Sequence, residues 1–119
     1  MSTNTFNPLG PTFARTVTTA STTLTPTLTN PPAAIAPFAC ALDLQIVNVG
    51  TQTVFLAYSY AGAAAPTATL LTDGANGAVL GISPNTTRTF EFPYGTQFAV
   101  IAAAAGSGVY ATWGAGANN

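Results

Sequence analysis

From residue 41 onward, turn-forming residues interrupt the chain roughly every eight to twelve residues, and the stretches between them alternate polar and apolar side chains. That spacing leaves no room for an amphipathic helix, whose apolar residues recur three and four apart over several turns. Leu42, Leu44 and Ile46 alternate with Asp43 and Gln45. The phase then shifts at Val47-Asn48-Val49, as at a bulge or a strand end. The clearest strand is 53–60, with Val54, Leu56, Tyr58 and Tyr60 facing one way and Thr53, Phe55, Ala57 and Ser59 the other. Because only Gly50-Thr51 and one further residue separate these runs, an antiparallel hairpin is expected. Strands are also expected at 67–71 and 78–82, around the turn signals of residues 72–77, and at 87–92. In the last of these, Arg88, Phe90 and Phe92 share a face. A final hairpin is expected from 96–104 and 109–113 about Gly106-Ser107-Gly108. Such a pattern predicts an all-β domain, an antiparallel β-sandwich or a jelly-roll-like barrel.

Residues 1–40 read differently. Pro8, Pro11, Pro26, Pro31, Pro32 and Pro37 interrupt a Thr-rich stretch. Each proline removes a backbone donor and fixes φ, which excludes helix and favours edge positions over central strands. The expectation is an extended N-terminal arm over 1–40, with one or two edge strands, followed by a sandwich domain over 41–119. Phe6, Leu9, Phe13, Leu24 and Leu28 gain nothing unless they dock against something. They are the candidate interface residues of the arm.

Charge limits what this chain can do. Charged residues make up 4% of it, against about 25% in a typical soluble domain. The whole set is Arg15, Arg88, Asp43, Asp73 and Glu91, with no Lys and no His. Hydrophobic residues reach 48%, enough for a folded core. A free monomer usually keeps charges on its surface for solubility and mutual repulsion, so a surface covered by partners is the favoured reading. Two arginines distant in sequence cannot neutralise a phosphate backbone, and no nucleic-acid partner is expected. The apolar run 98–105 is broken by Gly106-Ser107-Gly108, short of the roughly 20 residues of a spanning helix, so no membrane span is expected either.

Catalysis lacks its usual parts. With no His, a proton carrier would need converging carboxylates, and Asp43, Asp73 and Glu91 lie far apart in sequence. Cys40, the single cysteine, sits between alanines with no activating neighbour and reads as a small buried hydrophobe. Zinc would need Cys and His clusters. Asp73-Gly74-Ala75-Asn76-Gly77 has too few carboxylates for calcium and reads as a turn. The expectation is a non-enzyme with neither cofactor nor metal. Asn85-Thr86-Thr87 fits a glycosylation sequon, but Met1 to Pro8 lack the features of a secretion signal, and the chain is expected to remain in a cytoplasm. Thr-x-Thr pairs, at 87/89 among others, raise an ice-binding surface as a minor alternative, although their intervals are irregular.

Three segments carry a resemblance. These are Leu44 to Leu56, Ile82 to Pro93, and Phe98 to Ala102 together with Val109-Tyr110-Ala111-Thr112-Trp113-Gly114. Over about residues 41–116 the chain resembles small virion proteins of tailed bacteriophages. The resemblance implies a structural protein of the virion, assembled in the host cytoplasm. It would be a capsid decoration or cement protein that binds the major capsid protein, or another virion protein, and associates with itself. A tail or fibre component involved in host attachment is the alternative, and an ice- or carbohydrate-binding β module a more remote one. No functional residue carries over from the resemblance. Trp113, on the same strand face as Val109 and Ala111, is expected in the core or at an intersubunit seam.

Overall fold

In the computed structural model, residues 6–24, 26, 41–72, 74, 76–93 and 95–115 are described. They contain nine β-strands: β1 (Asn7–Pro8), β2 (Phe13–Val17), β3 (Thr22–Thr23), β4 (Ala41–Gly50), β5 (Val54–Ser59), β6 (Val79–Ile82), β7 (Thr86–Pro93), β8 (Gln97–Ala102) and β9 (Ser107–Ala115). Every pairing is antiparallel. β1 and β2 lie end to end along one edge of β9, with Pro11 in the break between them and Leu9 N–H donating to the Trp113 carbonyl at 2.8 Å. Counting them as one position, the first sheet runs β1/β2–β9–β4–β7 and the second β3–β8–β5–β6. The early strands therefore pair with the late ones in reverse order: β1/β2 with β9, β3 with β8, β4 with β7 and β5 with β6. A long antiparallel hairpin rolled into two facing sheets is a jelly roll.

Two expected hairpins are not formed. β4 and β5 lie in different sheets, and so do β8 and β9. Their short connections step across the sandwich instead of turning back along one sheet. The 67–71 segment is likewise no strand. It crosses the outer face of the second sheet, where Ala68 is buried against Ala57, Ala99 and Ile101, and the Ala68 N–H donates to the Ser21 hydroxyl at 2.9 Å.

The sandwich begins at Asn7 rather than at residue 41. Alternation in β2 turns Phe13 and Val17 inward, and Val17 and Leu24 are fully buried. Residues 7–24 are thus edge strands of the domain itself, and prolines at those edges cost no ladder hydrogen bonds. Residues 27–40, with Leu28 and Cys40, lie outside the described residues.

Leu42, Leu44 and Ile46 of β4, Val54 and Leu56 of β5, Phe98 and Val100 of β8, and Val109 and Trp113 of β9 fill the space between the sheets. Aromatic rings meet through it: Tyr58 to Phe92 at 5.1 Å, Phe92 to Phe98 at 5.1 Å, and Phe98 to Trp113 at 5.7 Å. Tilted and edge contacts of this kind are the favoured geometry of aromatic pairs.

The phase shift read at Val47-Asn48-Val49 is neither a bulge nor a strand end. β4 continues through it, and Asn48 takes the next inward position after Ile46. Its Nδ2 donates to the carbonyls of Gln52 (2.9 Å), Ile82 (3.0 Å) and Ser83 (3.1 Å). One buried amide thus ties the β4–β5 crossing to the β6–β7 turn, and with it one sheet to the other. Gln52 O also accepts from the Ser107 hydroxyl and Ser83 O from Thr86, and Ile82 stands opposite Val54 in the β5–β6 ladder. The amide thus adds a tie to carbonyls that have other donors nearby, while its own Oδ1 is buried without a partner among the described residues. Replacing Asn48 with Leu, of similar volume, is expected to cost about 1–3 kcal/mol by removing the three donations that tie the β4–β5 crossing to the β6–β7 turn. Urea denaturation checks this, and an unchanged midpoint would mean the tie is not needed.

Candidate interaction surfaces

The candidate interface residues lie mostly inside the chain's own fold. Leu24 is fully buried and Trp113 is 3% exposed, while Leu9 and Phe13 pack against the core and Phe6 is half-buried. Of the two readings for Trp113, core and seam, the structure places it in the core. Its ring lies between the sheets and shows no stacking face to solvent.

The exposed apolar side chains are others: Val49 (49%), Tyr60 (47%), Tyr110 (45%), Leu70 (41%), Leu71 (38%) and Tyr58 (36%). They fall on three parts of the surface. Val49 and Tyr110 lie on the outer face of the first sheet, where Tyr110 stands opposite Val47. Tyr58 and Tyr60 form an aromatic pair, ring centroids 6.0 Å apart, at the end of β5. Leu70 and Leu71 belong to the loop that crosses the second sheet.

Charge is sparse on this surface. Among the described residues Arg88 and Glu91 are exposed, Arg15 is half-buried and Asp43 is 4% exposed. Both guanidinium groups are occupied within the fold. Arg15 lies over the Phe13 ring at 5.1 Å and donates from Nε to the Thr23 carbonyl, and Arg88 lies over Phe90 at 5.0 Å. The fold brings together two carboxylates that sequence separates, for Asp43 and Glu91 are directly opposed on β4 and β7. Opposed like charges oppose pairing. Neither carboxylate lines either cavity described below. No group of three or more His, Cys, Asp or Glu side chains is placed to hold a metal ion among the described residues. No described helix is long and apolar enough to cross a membrane. The Thr87 and Thr89 pair on β7 faces Val47 and Gln45 on β4, not a second threonine row.

Two concavities stand out. A small one of about 150 Å³ lies where β2 meets β9, lined by Ala14, Arg15, Thr16, Gly108, Val109 and Tyr110. The larger, about 380 Å³, lies at one end of the second sheet's outer face. Phe55, Leu70, Leu71 and Ala103 form its apolar wall, and Thr51, Gln52, Thr53 and Thr72 supply its polar groups. Phe55 lies opposite Gly81 across the β5–β6 ladder, and a Cβ on Gly81 would stand 4.0 Å from the ring. None of the sequence motifs marked this cleft, because its walls come from segments that are far apart in the chain.

A scan of family models, a search of curated proteins and a search of solved structures each return no match to this chain.

Proposed function

We propose that this chain is a structural protein of a virus particle, a decoration or cement protein seated on the outside of the shell. The observation that supports the reading best is the surface: six large apolar side chains at least 36% exposed, against few exposed charges among the described residues. A protein that works free in solution is poorly served by such a surface, whereas one whose faces are covered in an assembly needs little charge. Jelly rolls serve viral shells and also lectins, so the fold adds only an analogy. Attachment would come from apolar area removed from water, at roughly 25 cal/mol per Å² before the costs of association. Repeated over many copies, that would stiffen a shell.

Antiserum raised against the chain and applied to purified particles tests this. Dense labelling of the head, with particles lacking the chain losing their genome at a lower temperature, is the expected result. Absence of the chain from particles would overturn the proposal, and a few copies at the tail would favour the attachment role instead. A second expectation concerns salt. With so few exposed charges, affinity for the particle should change by less than about tenfold between low and physiological ionic strength. A larger loss, measured by co-sedimentation, would show that ion pairs dominate the contact.

A further inference from the structure

The 380 Å³ cleft combines an apolar wall with a polar rim. Small-molecule sites are concave, mostly apolar, about 300–1,000 Å³ in volume, and carry a few polar groups that orient the ligand. This cleft meets each condition. The polar groups around it are also uncommitted. The hydroxyls of Thr51, Thr53 and Thr72 and the side-chain amide of Gln52 make no hydrogen bond among the described residues, while the Gln52 backbone is held by Asn48 and Ser107. Some hydroxyls elsewhere, those of Thr12, Thr86, Thr96 and Ser107, are bonded within the fold, while others, such as that of Ser59, are not bonded among the described residues. The backbone at Thr51 and Gln52 is therefore held while the side chains remain available.

No ionisable side chain lines the cleft. A charged ligand would lose its hydration there with no counter-charge in return. The occupant that fits is neutral. It has an apolar face for the Phe55 ring and several hydroxyls for the Gln52 amide and the threonines. A pyranose has both, with axial C–H groups on one face and hydroxyls round its edge. We propose that the cleft between residues 51–55 and 70–72 binds a neutral sugar ring of a glycan. This goes beyond the structural role and does not depend on it, because the isolated chain would carry the site.

Amide NMR of the full chain, titrated separately with glucose, galactose, mannose, N-acetylglucosamine and lactose, tests the proposal. At least one sugar should give saturable shifts confined to residues 51–55, 70–72 and 103, with an affinity of about millimolar. Gln52→Ala should weaken binding about two- to tenfold, the range of one lost hydrogen bond. Phe55→Leu keeps apolar bulk without the flat ring and should weaken it as well. Melting of both variants is followed to show that they stay folded. If no sugar gives a localised shift, or both variants bind like the parent, the proposal is overturned. It is equally overturned if these amides shift on concentrating the protein alone, since the cleft would then be a contact between copies.

Discussion

Trp113→Ala is expected to destabilise the protein by about 3–5 kcal/mol, as truncation of a large buried aromatic does. The ring is 3% exposed, stands opposite Leu44 in the β4–β9 ladder and meets Phe98 at 5.7 Å. Phe98 in turn meets Phe92, so the cavity would open beside a chain of rings that cannot all move to fill it. Domains of this size have only about 5–15 kcal/mol in hand, and the variant should melt tens of degrees below the parent or fail to fold. Thermal melting measured by circular dichroism checks this. A variant that melts within a few degrees of the parent would remove Trp113 from the core and reopen a surface role for it.

The second large effect is expected from a single methyl group. Gly50 ends β4 with φ at 144°, a region that side chains rarely enter. A Cβ there would run into the Gly106 carbonyl oxygen and stand 2.6 Å from the Ser107 Cα. These are backbone atoms, held by Thr51 N–H donating to Gly106 O and by the Ser107 hydroxyl donating to Gln52 O. Neither obstacle can swing aside as a side-chain tip would. Gly50→Ala should therefore cost about 2–6 kcal/mol, adding backbone strain to overpacking. Gly62→Ala is the control, for that glycine also has positive φ, 87°, but nothing lies within 4 Å of its Cβ position. It should lose only the strain, about 1–3 kcal/mol. Equal urea midpoints for the two variants would mean that the crossing of Gly50 and Gly106 is not tight.

That crossing also separates what was legible in the sequence from what was not. Alternation of side chains located β4, β5, β7 and β9 and assigned their faces, and turn residues bounded β8. Leu44, Leu56, Phe92, Phe98 and Trp113 point inward as the period of two requires. An inward polar residue concealed itself: Asn48 broke the apolar pattern and read as a bulge, because only the fold supplies the three carbonyls to which its buried Nδ2 donates. Leu24 was assigned to an interface for a related reason: the edge strands expected in the arm do form, but only their pairing with β9 and β8 makes them part of the sandwich and places Leu24 in its core.

The cleft was not legible at all. Thr51, Gln52, Thr53 and Thr72 look like ordinary surface residues until the loop carrying Leu70 and Leu71 is laid beside Phe55. The choice of strand partners was decided by the tertiary structure alone. Ladder hydrogen bonds join backbone groups that every residue but proline carries, so they do not distinguish one partner from another. Connection length did not distinguish them either. Residues 51–53 can extend by about 10 Å, which suffices for a turn within one sheet and also matches the roughly 10 Å between packed sheets. Burying both inward faces at once selects the step across. The sequence by itself determined that these segments are strands and which face of each is apolar; the sheet to which each belongs follows from closing the core.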